Sequence, residues 1–122
     1  MRTPKPVLER RRSVRIAEKL PFKIGHEDYE AQATTVNIST HGALCWIDID
    51  FPLMTQFRLA LSLPGASKTS KRRILDMKGV IVRKDKDPLS GKYLLAIYFS
   101  DIKTADRQFL QNYIESRLSV DP

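Results

Sequence analysis

The chain is expected to be all-β with one helix: a six-stranded antiparallel β-barrel followed by a C-terminal amphipathic α-helix. Three observations predict this. Short runs in which apolar and polar residues alternate are separated by Gly, Pro, Asn and Asp clusters. Near residue 104 the apolar spacing changes from two to three and four. The chain has 122 residues, 42% of them apolar, enough for a single domain to bury a core without staples.

The elements follow in order. Residues 1–13 are expected to form a flexible basic arm, because Pro4 and Pro6 oppose helix and neighbouring arginines repel one another. Residues 14–122 then form a single domain. "VRIAEKLPFKI" reads as a first strand bent near Pro21, and "GHED" as a turn. "YEAQATTVNI" alternates and is rich in Thr and Val, which suits a half-buried strand. "STHG" breaks it and "ALCWIDI" is the third strand. "FPLMT" is a loop. In "QFRLALSL", Phe57, Leu59, Leu61 and Leu63 share one face. After the polar connection "PGASKTSKRR", "ILDMKGVIVRK" is a fifth strand with Gly79 at a bulge or close contact. "DKDPLSG" turns the chain into "KYLLAIYFS", the sixth. Six short antiparallel strands with one buried face close most economically into a barrel, which removes their edges. A helix is expected at about 104–119, with Phe109, Leu110, Tyr113, Ile114 and Leu118 on one stripe, Thr104 as cap and Asp106 in the first turn.

The net charge of +7 is local. Residues 1–19 hold seven Lys and Arg against Glu9 and Glu18, and the remainder holds fourteen against twelve. A general polyanion binder spreads its positive charge over a face; here it gathers at the entrance to the fold. No apolar run approaches the roughly 18 residues of a membrane span, and the N-terminus has no apolar segment of a secretory signal. The single Cys45 excludes an internal disulfide, fits a reducing compartment and reads as a buried core thiol. A cytoplasmic protein without membrane insertion is expected.

Two short stretches stand out: "RRSVR", Arg11 to Arg15, preceded by Arg10, and "NISTHG", Asn37 to Gly42. Each alone is a charged arm or a plain turn. In this order, and within six strands and a helix, they resemble the RxxxR and (D/N)xSxxG motifs of PilZ domains, bacterial receptors for the second messenger cyclic di-GMP (c-di-GMP). The resemblance covers nearly the whole chain and implies a PilZ-like barrel. It also implies a ligand site made of Arg11, Arg15, Asn37, Ser39 and Gly42. Arg10, just before the motif, is associated in that family with a stacked c-di-GMP dimer rather than one molecule.

The residue types suit such a ligand. Guanine presents O6 and N7 as paired acceptors on its Hoogsteen edge, which an Arg fork matches bidentately. The same planar group reaches a phosphate or stacks on a base. In an extended arm, Arg11 and Arg15 are up to about 13 Å apart, enough to reach two groups of one ligand. Asn37 can accept from the other edge of guanine, and the Ser39 hydroxyl can bond base or phosphate. Gly42 permits positive φ and close backbone approach. Arg12 contacts a phosphate or faces water. His41 is a solvated loop residue or stacks on a base. Trp46 packs on the barrel or is a ligand-side aromatic.

No metal site is expected, since His26 and His41 have no Cys or carboxylate cluster at ligand spacing. No phosphate loop, activated nucleophile or paired acid and base points to an enzyme or a cofactor. The expected function is a stand-alone receptor that binds c-di-GMP and signals to an as yet unidentified downstream protein as its arm becomes ordered. One alternative is a small basic barrel binding DNA or RNA. Against it stand the nearly neutral body and the lack of an evident row of exposed aromatics. The other is a PilZ-like protein-interaction module that binds no nucleotide.

Overall fold

A computed structural model describes residues 14–27, 29–65 and 71–118. Its strands are β1 (Pro21–His26), β2 (Tyr29–Ile38), β3 (Gly42–Ile47), β4 (Gln56–Leu63), β5 (Arg73–Lys86) and β6 (Tyr93–Ile102), followed by α1 (Thr104–Leu118). All neighbouring strands are antiparallel, in the closed order β1–β2–β3–β6–β5–β4, with β4 pairing back onto β1. This is the expected six-stranded barrel with one C-terminal helix.

Alternation fills the interior. Phe57, Leu59, Leu61 and Leu63 point inward as predicted, and Leu75, Met77, Leu95, Ile97 and Phe99 meet them from β5 and β6. Leu110 and Ile114 of α1 join the same core with Ile16 and Leu20. Burying each such side chain contributes roughly 1.5–3 kcal/mol. Gly79 sits where β5 and β6 shift register. A Cβ there would lie 2.8 Å from side-chain atoms of both Ile97 and Leu59, so any larger residue would push these core side chains aside.

Several local expectations change. The first strand begins at Pro21, not Val14. The buried Thr35 hydroxyl accepts the Leu20 N–H at 2.8 Å and donates to the Glu18 carbonyl at 2.5 Å. That takes residues 18–20 out of a regular ladder, and Pro21 has no N–H to continue one. The chain touches β2 again at Ile16, which exchanges two 2.9 Å backbone bonds with Ile38. Gly25 and His26, expected in a turn, extend β1. The turn follows at Glu27, whose φ of 54° suits a two-residue hairpin. The helix stripe is shorter than predicted: Phe109 and Tyr113 are partly buried, whereas Leu118 is 48% exposed. The cap position falls on Lys103, whose carbonyl accepts the first helical bond from Arg107, so Thr104 is the first helical residue. Asp106 in the first turn pairs with Arg73 at 3.1 Å. Among the described residues, no helix is long and apolar enough to cross a membrane.

Candidate ligand-binding site

Asn37 is placed by a bulge. With strict alternation it would share the inward face of Thr35. The β2–β3 register shifts between Thr35 and Asn37, so Thr35 stays opposite the inward Cys45 while Asn37 moves opposite the half-buried Leu44. Ile38 then turns inward opposite Ala43. The inserted Val36 thus directs the Asn37 side chain outward. There it meets Arg15, whose guanidinium donates to Asn37 Oδ1 at 3.0 Å. Arg15 is held close by its neighbour Ile16, buried and bridged to Ile38.

The loop beyond Ile38 is tied to itself. Ser39 is only 1% exposed; its N–H donates to the Gly42 carbonyl at 2.9 Å, and its hydroxyl reaches the same oxygen at 3.3 Å. That hydroxyl also accepts the His41 N–H at 3.2 Å. In this conformation Ser39 therefore shapes the loop. Gly42 departs from expectation. Among the described glycines only Gly91 has positive φ. Gly42 is buried where β3 begins, and a Cβ on it would collide with the Ile97 backbone oxygen of β6. Close strand packing, not a left-handed conformation, explains this glycine.

Arg107 completes the cluster, and sequence reasoning missed it. It lies on α1, 67 residues from Thr40, yet its guanidinium donates to the Thr40 carbonyl at 2.7 Å. Nothing in the helical pattern distinguishes it from other exposed charges of α1. His41, exposed at the loop tip, has its Nδ1 3.2 Å from the Thr40 hydroxyl, while its carbonyl accepts the Phe99 N–H at 2.8 Å. Partial burial, and secondly the Arg107 charge, hold its pKa below the usual histidine value. Val14, Thr40, His41, Arg107 and Glu115 line an open groove of about 560 Å³.

Trp46 points to the outer face, 41% exposed, opposite Thr34 and Leu94. It lines a second groove of about 590 Å³ with Lys19, Val36, Asp48 and Lys92. Tyr98 is also exposed, at 47%. The two aromatics are four strand positions apart in the β3–β6 register, since Trp46 faces Leu94 while Tyr98 faces Gly42. Cys45 points inward, and burial pushes its thiol up to about 12. The structure thus gathers Arg15, Asn37, Ser39, His41 and Gly42 at one end of β2 and β3. Trp46 stands farther along the outer face. Arg10, Arg11 and Arg12 lie outside the described residues. Among those described, no group of His, Cys, Asp and Glu is placed to hold a metal ion.

Comparison with known proteins matches this arrangement to one family. Residues 9–116 match the PilZ domain. The Bacillus subtilis inhibitor of motility, MotI/DgrA, superimposes with a TM-score of 0.79 at 27% identity, over 93% of this chain and 53% of that one. This chain therefore spans about half the length of that protein. The PilZ domain of Escherichia coli YcgR, solved with c-di-GMP, superimposes with a TM-score of 0.58 at 13% identity, over 92% of this chain and 98% of that one. No curated protein matches the chain. A family match that spans both motifs, the barrel and most of the helix leads to one conclusion: the chain belongs to the PilZ domain family.

Proposed function

We propose that this chain is a cytoplasmic bacterial receptor for c-di-GMP, and that it acts by binding rather than catalysis. The observation that carries the reading is the Arg15–Asn37 contact, which joins the two motif segments on one outer surface. Arg15 has five N–H donors and engages Asn37 through one terminal nitrogen, leaving donors for guanine O6 and N7 or for a phosphate. Asn37 offers an acceptor beside it for guanine N1–H or N2–H. Arg10 and Arg11 add charge for the remaining phosphates. Ser39 holds the loop in shape, and Gly42 lets the loop enter β3 flush against β6. Arg12, His41 and Trp46 are further candidates for contact with the ligand.

In this reading the ligand draws the arginine segment against the barrel. The surface so formed, part protein and part nucleotide, is what a downstream protein reads. Membership of a family of c-di-GMP receptors supports the ligand, as does the likeness to a domain solved with it. Mapping amide NMR shifts during titration with c-di-GMP tests the site. The largest changes are expected at Arg15, Asn37 and residues 39–42. Changes confined to the opposite side of the closed barrel, on β4 and β5, would move the site elsewhere.

A further inference from the structure

We infer that Arg107 is the positioning residue of the 39–42 loop, and that it couples the proposed ligand site to α1. The inference rests on the c-di-GMP reading and names how that site is regulated. Two successive loop carbonyls are held by elements outside the β2–β3 hairpin. The Thr40 oxygen accepts from the Arg107 guanidinium at 2.7 Å, and the His41 oxygen accepts from the Phe99 N–H of β6 at 2.8 Å. The Thr40 carbonyl and the His41 N–H belong to one rigid peptide plane. That N–H donates to the Ser39 hydroxyl at 3.2 Å. Releasing Arg107 therefore removes a hold on that plane, and its rotation breaks the His41 N–H bond to Ser39, one of three that hold this residue, the other two being its bonds to the Gly42 carbonyl.

The same helix grips the other motif segment. Near its C-terminal end, the Tyr113 hydroxyl donates to Glu18 Oε1 at 3.3 Å, and Arg117 Nε lies 3.5 Å from Glu18 Oε2. Glu18 follows Arg15 on the clasped segment, whose carbonyl at position 18 is fixed by Thr35. α1 thus contacts both segments that carry the ligand motifs, at points 6 residues apart (Arg107 and Tyr113) on the helix. A ligand that bridges the Arg15 segment and the loop changes the load on both contacts. By linkage, a partner on α1 that changes ligand affinity by some factor has its own affinity changed by the ligand by the same factor. Arginine suits the position, since a charged donor to a partly buried carbonyl is stronger than a neutral one. Lysine retains the charge without the planar fork.

The test compares the wild-type chain with Arg107→Met and Arg107→Lys. Three readouts are used: amide NMR signals without ligand, calorimetric titration with c-di-GMP, and hydrogen exchange of α1. Without ligand, Arg107→Met is expected to shift the amide signals of residues 39–42. Its affinity should fall about tenfold or more, the loss expected for a charge-assisted bond, and Arg107→Lys should recover part of it. In the wild type, c-di-GMP should slow exchange in the first two turns of α1; in Arg107→Met at saturating ligand that slowing should vanish. The inference is overturned by unshifted loop signals with wild-type affinity in Arg107→Met, or by wild-type α1 exchange indifferent to bound ligand. If Arg107→Met does not fold, the wild-type exchange measurement decides alone. Absence of binding to the wild-type chain overturns the c-di-GMP reading itself, and this inference with it. Binding with an indifferent helix overturns the inference alone.

Discussion

Arg15 and Asn37 stand 22 residues apart in sequence and touch through a 3.0 Å hydrogen bond from guanidinium to amide oxygen. The contact depends on the buried Ile16 before β1 and on the bulge at the exposed Val36 in β2. It seats one arginine of the first motif beside the asparagine of the second.

Arg15→Ala should weaken c-di-GMP binding while leaving the barrel folded, because Arg15 is exposed whereas its neighbour Ile16 provides the anchoring burial. A bidentate guanine contact is worth roughly 1–3 kcal/mol, or about tenfold to a hundredfold or more in affinity. Titration paired with thermal unfolding separates the outcomes. Normal binding would remove Arg15 from the site; loss of the folded state would make it structural.

Gly42→Ala should destabilise the protein even with no ligand present, by about 1–3 kcal/mol for an overpacked site. The added methyl meets the Ile97 backbone oxygen, which no side-chain rotation can relieve. Chemical denaturation of the ligand-free variant checks this. A variant as stable as wild type, yet deficient in binding, would restore ligand approach as the reason for glycine.

The barrel was legible because alternation states directly which side chains face inward: β2 and β4 appear at their predicted bounds, and Gly79 marks a register shift. The motif residues were legible as a spaced pair of stretches. What failed did so for tertiary reasons. The clasped segment at 14–20 depends on the Thr35 hydroxyl capturing Leu20 and Glu18, a contact across at least 15 residues with no local signature. The Val36 bulge that turns Asn37 outward is invisible to a period-2 count. Arg107 reads as one more solvated charge on a helix, and only the packing of α1 beside the loop gives it Thr40 as a partner.

His41 predicts a pH dependence of stability. Its folded pKa lies below 6.5 through partial burial and the Arg107 charge. The neutral ring is therefore favoured in the folded state, and the unfolded chain takes up the proton first as pH falls. The contribution is fully present above pH 6.5 and is lost as pH drops through the folded value. Between about pH 7 and 5, wild-type Tm should fall more steeply than that of His41→Gln, with no difference in slope above about pH 7. Parallel profiles throughout would contradict the assignment.

Arg10 predicts stoichiometry. A stacked c-di-GMP dimer brings four phosphates together, and Arg10, Arg11 and Arg15 with Arg12 or a lysine offset their repulsion. Arg10→Leu is expected to lower the ratio from two ligands per chain toward one while binding persists. Affinity should weaken with salt, since exposed charges carry the attraction. An unchanged ratio in Arg10→Leu would leave Arg10 as an ordinary charge of the arm.

Calorimetric titration of the wild-type chain with c-di-GMP, against GMP and GTP as controls, tests the central claim most directly. The account predicts micromolar or tighter binding of c-di-GMP, saturating at two ligands per chain, with little response to either control. Saturation at one ligand would retain the receptor and remove the stacked dimer. No heat and no amide shift at about millimolar c-di-GMP, the level of roughly −4 kcal/mol, would contradict the account.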